Sequence, residues 1–264
     1  MRIAFTAQFL GTGTSVGVPL IGCACPVCRS TDMRDKRLRS SLYVTLGEHA
    51  LLIDAGPDLR TQCLQWQVPR VDAVFITHLH ADHVFGFDDV RRFNTLQQNQ
   101  VIHCYAGPET IAGMKRIFPY ISSEPDKQGL YRPLIAFRAV TEAFTLFGAT
   151  VTPLRVWHGN AETNGLRIDY QGKSLAYLPD VHEIPETTLE QLHGVDVLIL
   201  NMLRKRAHPT HLTLEQSLAY ASKIHARKTY FTHLSHDLFH AEIEPLLPDS
   251  VAPAYDGLRL DLNA

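Results

Sequence analysis

Val74-Phe-Ile-Thr-His-Leu-His-Ala-Asp-His83 is the stretch whose reading decides the fold. The apolar run at residues 71–76 has the composition of a buried strand, and His78, His80, Asp82 and His83 follow it at once. Alternate residues of an extended chain point the same way, so His78 and His80 can share one metal ion. The chain must then turn at Ala81, which aims Asp82 and His83 at a second ion beside the first. Imidazole nitrogen combined with carboxylate oxygen suits zinc, manganese or iron. One strand-end histidine is more often a hydrogen-bonded residue than a ligand. Four ligand-type residues spaced H-x-H-x-D-H after a strand make a metal motif.

A second cluster lies upstream. Cys23, Cys25 and Cys28 fall within Gly22-Cys-Ala-Cys-Pro-Val-Cys28, and thiolates so close together suit a tetrahedral soft-ligand ion, zinc above others. Three ligands need a fourth, and His236 in Thr232-His-Leu-Ser-His236 is the candidate. Such a structural zinc would tie the N-terminal loop to the loop that presents His233. The five cysteines, an odd number with three packed together, argue against a disulfide framework. Cys63 and Cys104 lie in apolar surroundings and read as buried thiols. Between the first strand and the cysteines, Gly11-Thr-Gly-Thr-Ser-Val-Gly17 is a glycine-rich turn that could offer backbone N–H groups to a phosphate or simply let the chain turn.

The 264 residues suffice for one sizeable core, and a single domain over 1–264 is expected because no linker rich in Pro, Gly or Ser divides them. Hydrophobic content of 45% with 20% charged residues describes an ordinary globular protein. A net charge of −2 gives no pull toward nucleic acid or membrane, whereas fourteen histidines hint at metal. Thr6 and Gln8 interrupt the apolar start where a secretory signal would be unbroken, and no stretch reaches the length of a membrane span, so a cytoplasmic location is the default expectation.

Taken in order, the spacing predicts a strand at 3–10, a hairpin of 41–46 with 50–54 about Gly47-Glu48, and a short helix at 59–68. Residues 84–97 read as a helix with Phe85, Val90, Phe93 and Leu96 in the core. A strand at 101–106 and a helix at 109–118 follow. The proline-interrupted segment 119–149 is expected to form substrate-facing or dimer-facing loops. Strands resume at 149–157, 165–170 and 173–178, then a helix at 186–193 and a strand at 195–200. Thr213-Leu-Glu-Gln216 is a capping box opening a helix to about residue 226, and the last clear strand, 228–231, ends at His233. Residues 1–118 and 149 onward repeat one plan, of strands, a ligand at the tip, then helices. Two facing sheets with helices outside would bring every strand-end ligand to one edge.

His78-x-His80-x-Asp82-His83 resembles the signature of the metallo-β-lactamase superfamily of hydrolases, and the resemblance spans nearly the whole chain. It implies an α/β fold, the four-layer αβ/βα sandwich. By the same resemblance His158 completes site one with His78 and His80; Asp82, His83 and His233 make site two; and Asp180 bridges them. Asp54, ending Leu51-Leu-Ile-Asp54, looks like the strand-end aspartate of the family and reads as a carboxylate that fixes a histidine tautomer. The implied chemistry is hydrolysis of an ester by a hydroxide bridging two divalent metals.

The cysteine set, Gly11-Thr-Gly-Thr and Thr232-His-x-x-His236 together are similar to the phosphoribosyl 1,2-cyclic phosphate phosphodiesterase branch. That branch implies one structural zinc, two active-site metals (Mn or Zn), a small phosphodiester substrate and a homodimer. Asp82, Asp180 and His211 are then the catalytic residues, with His211 contacting phosphate or acting as general acid and His208 its competitor. Arg204, Lys205 and Arg206 nearby could meet an anionic substrate or form a solvated run. Ribonuclease Z shares the metal motif, but the span from His158 to Asp180 has no room for its tRNA-clamping arm. The pyrroloquinoline-quinone biosynthesis protein B, an oxygenase or binding protein, shares the cysteine cluster, while the complete ligand set favours hydrolysis.

Overall fold

The computed structural model describes residues 4–124 and 131–263. β1 (Phe5–Gly11), β2 (Ser41–Leu46) and β3 (His49–Ile53) form an antiparallel meander, which β4 (Ala73–Phe75), β5 (Ile102–Ala106) and β6 (Ile135–Ala139) extend in parallel. The second sheet repeats the plan. β7 (Phe144–Leu146), β8 (Ala149–His158), β9 (Ala161–Tyr170) and β10 (Lys173–Leu178) are antiparallel, and β11 (Val197–Asn201), β12 (Lys228–Thr232) and β13 (Val251–Pro253) continue in parallel. β14 (Arg259–Asp261) returns to the first sheet and pairs antiparallel with β1.

The apolar runs are nearly continuous because both faces of each sheet are buried. Leu51, Ile53 and Phe75 point into the core between the sheets, where they meet Leu175, Tyr177 and Ile199. Their neighbours Leu52, Val74 and Ile76 point the other way, onto Leu59 of α1 (Leu59–Gln65), Val84 of α2 (Ala81–Val84), Phe93 of α3 (Arg91–Leu96) and Met114 of α4 (Pro108–Ile117). On the second sheet Ala176, Leu178, Leu198 and Leu200 pack on Leu192 of α5 (Glu186–Leu192), Ile224 of α6 (Leu214–Ile224) and Ile243 of α7 (His240–Ile243). Each buried Leu, Ile or Phe contributes about 1.5–3 kcal/mol, so a register slip of one residue would exchange one core for another of the wrong shape. This is the expected four-layer αβ/βα sandwich.

Ligands belong at the carboxyl ends of parallel strands, where helices and connections leave a crevice. Asp54 follows β3, His78 and His80 follow β4, Asp180 follows β10, Asn201 ends β11 and His233 follows β12. Thr213 caps α6 by accepting from the Gln216 N–H, and Gln216 returns the bond to the Thr213 N–H.

Four expectations change. The helix predicted over 84–97 is three pieces, α2, a 3-10 turn Phe87–Val90 and α3. The break is at Gly86, whose N–H is given to the Ala55 carbonyl at 2.9 Å and whose position tolerates no side chain, since a Cβ would stand 1.9 Å from the Gly56 carbonyl oxygen. Val90 and Phe93 are buried as predicted, but the break turns Phe85 and Leu96 outward. The glycine-rich turn uses its N–H groups internally: Thr12 donates to Asp256 at 2.8 Å, Gly13 to Leu38 O at 2.7 Å and Thr14 to Leu234 O at 3.3 Å. It is a packing device rather than a phosphate cradle. Within 119–149, β6 and β7 are edge strands of the two sheets, and residues 125–130 lie outside the described residues. The strand at 228–231 is followed by two further strands, β13 and β14. Among the described residues no helix is long and apolar enough to cross a membrane.

Candidate metal centre

Three groups of ligand-type side chains converge, each with donor atoms within 4.8 Å of one another: His78, His80, His158 and Asp180; Asp82, His83, Asp180 and His233; and Cys23, Cys25, Cys28 and His236. Asp180 belongs to both of the first two, which is the geometry of a bridging carboxylate. Its Oδ2 lies 3.6 Å from His78 Nε2, 3.5 Å from His83 Nε2 and 3.7 Å from His158 Nε2. These are spacings of donors around a shared ion rather than of hydrogen bonds. His83 Nε2 also stands 3.1 Å from Asp82 Oδ2, and neither atom has a hydrogen-bond partner.

His78 Nε2, Asp82 Oδ2, His83 Nε2 and His233 Nε2 are all buried without partners. Each such atom costs about 1–3 kcal/mol unless something meets it. Divalent cations meet all four at once, so the residues present fit a pair of metal ions.

The opposite ring nitrogens show why Nε2 is free. His83 Nδ1 donates to Asp54 Oδ2 at 2.7 Å, and His158 Nδ1 donates to the Thr210 carbonyl at 2.8 Å. Thr77 Oγ1 donates to Asp54 and therefore accepts from His78 Nδ1 at 3.0 Å. Ser40 Oγ donates to Gly13 O and accepts from His233 Nδ1 at 3.1 Å, a proton that also faces Asp180 Oδ1 at 2.9 Å. Thr77, Asp54 and Thr210 thus engage three Nδ1 atoms and turn the Nε2 atoms of His78, His83 and His158 toward Asp180, whereas His233 meets Asp180 through Nδ1. Asp54 acts where its strand-end position predicts. Its φ of 63° and that of His233, 62°, put both residues in the left-handed region, a strain of about 1–3 kcal/mol of the kind stored at functional sites.

The electrostatics divide the rings, favouring on His83 a proton that a bound cation would displace. Burial, and next the charge of His83, push His78 well below the usual imidazole range, which keeps it neutral. Burial opposes charge on His83, yet Asp54 and Asp180 hold it well above that range. Burial works against ionised Asp180 too, and His233 with His83 more than offset it, holding the carboxyl well below its usual range.

At the cysteine cluster His236 Nδ1 lies 3.5 Å from Cys23 Sγ, 3.5 Å from Cys25 Sγ and 3.7 Å from Cys28 Sγ. Tetrahedral zinc with ordinary Zn–S and Zn–N lengths gives S···N edges of about 3.6 Å. The Cys28 N–H, donated to Cys25 Sγ at 3.4 Å, is the largest influence bringing the Cys25 thiol down to about 6. Arg37 clamps the same loop: fully buried, it donates to Ser235 O at 2.7 Å and Leu238 O at 2.8 Å and pairs with Asp35 at 3.0 Å.

A cleft of about 560 Å3 opens over the centre, where Ser15, Asn160, His208, Thr210 and His211 join the ligands. The His211 ring lies 4.7 Å from those of both His158 and His233, and burial, then His233, pushes it down to about 2. Arg204 and Arg206 turn away from the cleft, toward the Arg206 and Ala207 carbonyls and Asp237. Ser40, Thr77 and Thr210 escape a reading based on ligand types, because they meet the rings through hydroxyl or carbonyl oxygens and are not among the ligands. Asn201 did carry a signal: it ends an apolar run, as Asp54 and Asp180 do.

Residues 49–234 match the model of the beta-lactamase superfamily domain. The chain belongs to the beta-lactamase superfamily. Among solved structures of this superfamily it is similar to a diphosphatase of the PhnP family, with 41% identity, a TM-score of 0.88 and 97% of each chain covered. It is also similar to Zn2+-bound PqqB from Methylobacterium extorquens, at 25% identity and TM-score 0.78 over 97% of this chain and all of that one. An octanoyltransferase from Porphyromonas gingivalis is 36% identical over 255 residues, 95% of this chain; the chain spans half the length of that relative.

Asp54→Asn, which removes the acceptor for His83 Nδ1, is expected to weaken active-site metal binding about tenfold to a hundredfold, measured by competition with a chromogenic chelator. Unchanged affinity would show that Asp54 does not tune the ligand. Cys25→Ser is expected to lower the thermal midpoint and release zinc to mild chelation; zinc retained as firmly as in the parent would remove the cysteine site.

Proposed function

We propose that this protein is a dinuclear metal-dependent phosphoric diester hydrolase acting on a small substrate such as a cyclic sugar phosphate. The observation that carries the reading is Asp180, one carboxylate shared by two ligand groups in which His78, Asp82, His83 and His233 keep buried, unpartnered atoms. When bound, two divalent ions supply a water acidified to a pKa of about 7 and neutralise charge on the phosphoryl oxygens. The chain does the rest. Asp180 holds the two ligand groups in register, Asp82 remains ionised beside His83, and His211 and His208 stand at the cleft where a substrate oxygen or the departing one can be hydrogen-bonded. Manganese or zinc at the active site and zinc at the cysteines suit the donor sets.

The cleft favours a small phosphodiester. Histidines, carboxylates, Ser15, Asn160 and Thr210 line it, and among the described lining residues there is no lysine, arginine or aromatic side chain beyond histidine to track a nucleic-acid backbone or stack its bases. Among the described residues that line it Ala161 is the only aliphatic side chain, a poor match for an octanoyl chain. Similarity to a PhnP-family diphosphatase supports phosphoryl chemistry at this centre.

The purified protein with Mn2+ is expected to turn over bis-p-nitrophenyl phosphate, and Asp180→Ala to abolish that turnover. No hydrolysis with any divalent ion would overturn the reading.

A further inference from the structure

His211 differs from the ligand rings beside it. His78, His83 and His158 each direct Nδ1 at an oxygen acceptor, Thr77 Oγ1, Asp54 Oδ2 and the Thr210 carbonyl. Across from His211 Nδ1, at 3.4 Å, stands the amide nitrogen of Asn201. The orientation of that amide is decided by its other end, because Asn201 Oδ1 accepts the Leu212 N–H at 2.9 Å and an NH2 group in that place could not. Asn201 is completely buried, so its amide turns no donor or acceptor to water, and the Leu212 N–H holds its oxygen in place. An amide NH2 is only a donor, and the nitrogen facing it must be the ring's acceptor. The remaining hydrogen then sits on Nε2.

We infer that Asn201 is a positioning residue that fixes His211 in the Nε2–H tautomer, making it a hydrogen-bond donor to a substrate oxygen and denying it to the metals as a ligand. This rests on the phosphodiesterase reading for the identity of the oxygen, but not for the tautomer. The peptide of Thr210 performs a similar sorting on the adjoining rings. Its carbonyl takes the His158 Nδ1 hydrogen, and its N–H donates to His208 Nδ1 at 3.3 Å. His158 is thereby a ligand and His208 a second Nε2–H donor at the cleft. An imidazolium at His211 would set an N–H against the Asn201 NH2, so the donor is the neutral ring, acting as an electrophilic clamp on charge developing at oxygen.

Long-range 1H–15N correlation spectra of zinc-loaded protein, labelled at the histidine ring nitrogens and assigned with His211→Ala, read the tautomer directly. The expected result is a protonated Nε2 and a bare Nδ1 for His211, with the reverse pattern at His83 and His158. A hydrogen on His211 Nδ1 overturns the inference. Asn201→Asp keeps the acceptor for the Leu212 N–H but places a second acceptor before the ring, and is expected to move the hydrogen to Nδ1. In the phosphodiester assay that variant should lower kcat about tenfold to a hundredfold, the usual scale for a group orienting a functional imidazole, with a smaller change in KM. In a His211→Ala background the same substitution should cost nothing further, and additive losses would show that Asn201 acts otherwise than through His211. If the phosphodiester proves not to be a substrate, the spectra still decide the tautomer, so the two readings fail separately.

Discussion

Four imidazole nitrogens and two carboxylates are held face to face, out of water. Lone pairs so arranged repel, and a chain that buries them loses stability unless cations fill the gap. Everything else in the molecule can be read as the apparatus that keeps those atoms in place. Asp180 stands at the middle because it is the one carboxylate that both groups reach.

Two kinds of support hold the arrangement. The sheets supply position: the ligands leave the ends of β4, β8, β10 and β12, whose inner and outer faces are locked by separate apolar cores. The hydrogen-bond network supplies orientation, and it does so through acceptors that are themselves anchored. Thr77 and His83 share Asp54, and Ser40 joins His233 to the Gly13 carbonyl. The loop after β12 carries His233 inward and His236 toward the three cysteines, while Arg37 ties it from below. The cysteine cluster and the cleft are thereby joined through one loop.

Much of this was legible in the sequence. H-x-H-x-D-H after an apolar run located the centre, and strand-end residues Asp54, His158, Asp180 and His233 fell where they were expected, since a strand fixes the exit of the residue after it. The cysteine set found its fourth partner in His236 by the same reasoning. What stayed hidden has physical reasons. Gly86 breaks a helix through an N–H bond to Ala55, a contact distant in sequence that periodicity cannot register. β13 and β14 are three residues each, too short to show a pattern. Ser40 and Thr210 act through one oxygen apiece, and nothing about a hydroxyl or carbonyl in sequence tells which ring will find it.

The central claim is that the buried donors exist to hold ions, and the most direct measurement is the metal content and position in crystals of the protein, by elemental analysis with anomalous scattering at the relevant absorption edges. The account predicts two ions bracketing Asp180 and a third, zinc, among Cys23, Cys25, Cys28 and His236. Maps with protein saturated in Mn2+ or Zn2+ that show no ion beside Asp180, with His78 and His83 hydrogen-bonded to each other or to water instead, would contradict it.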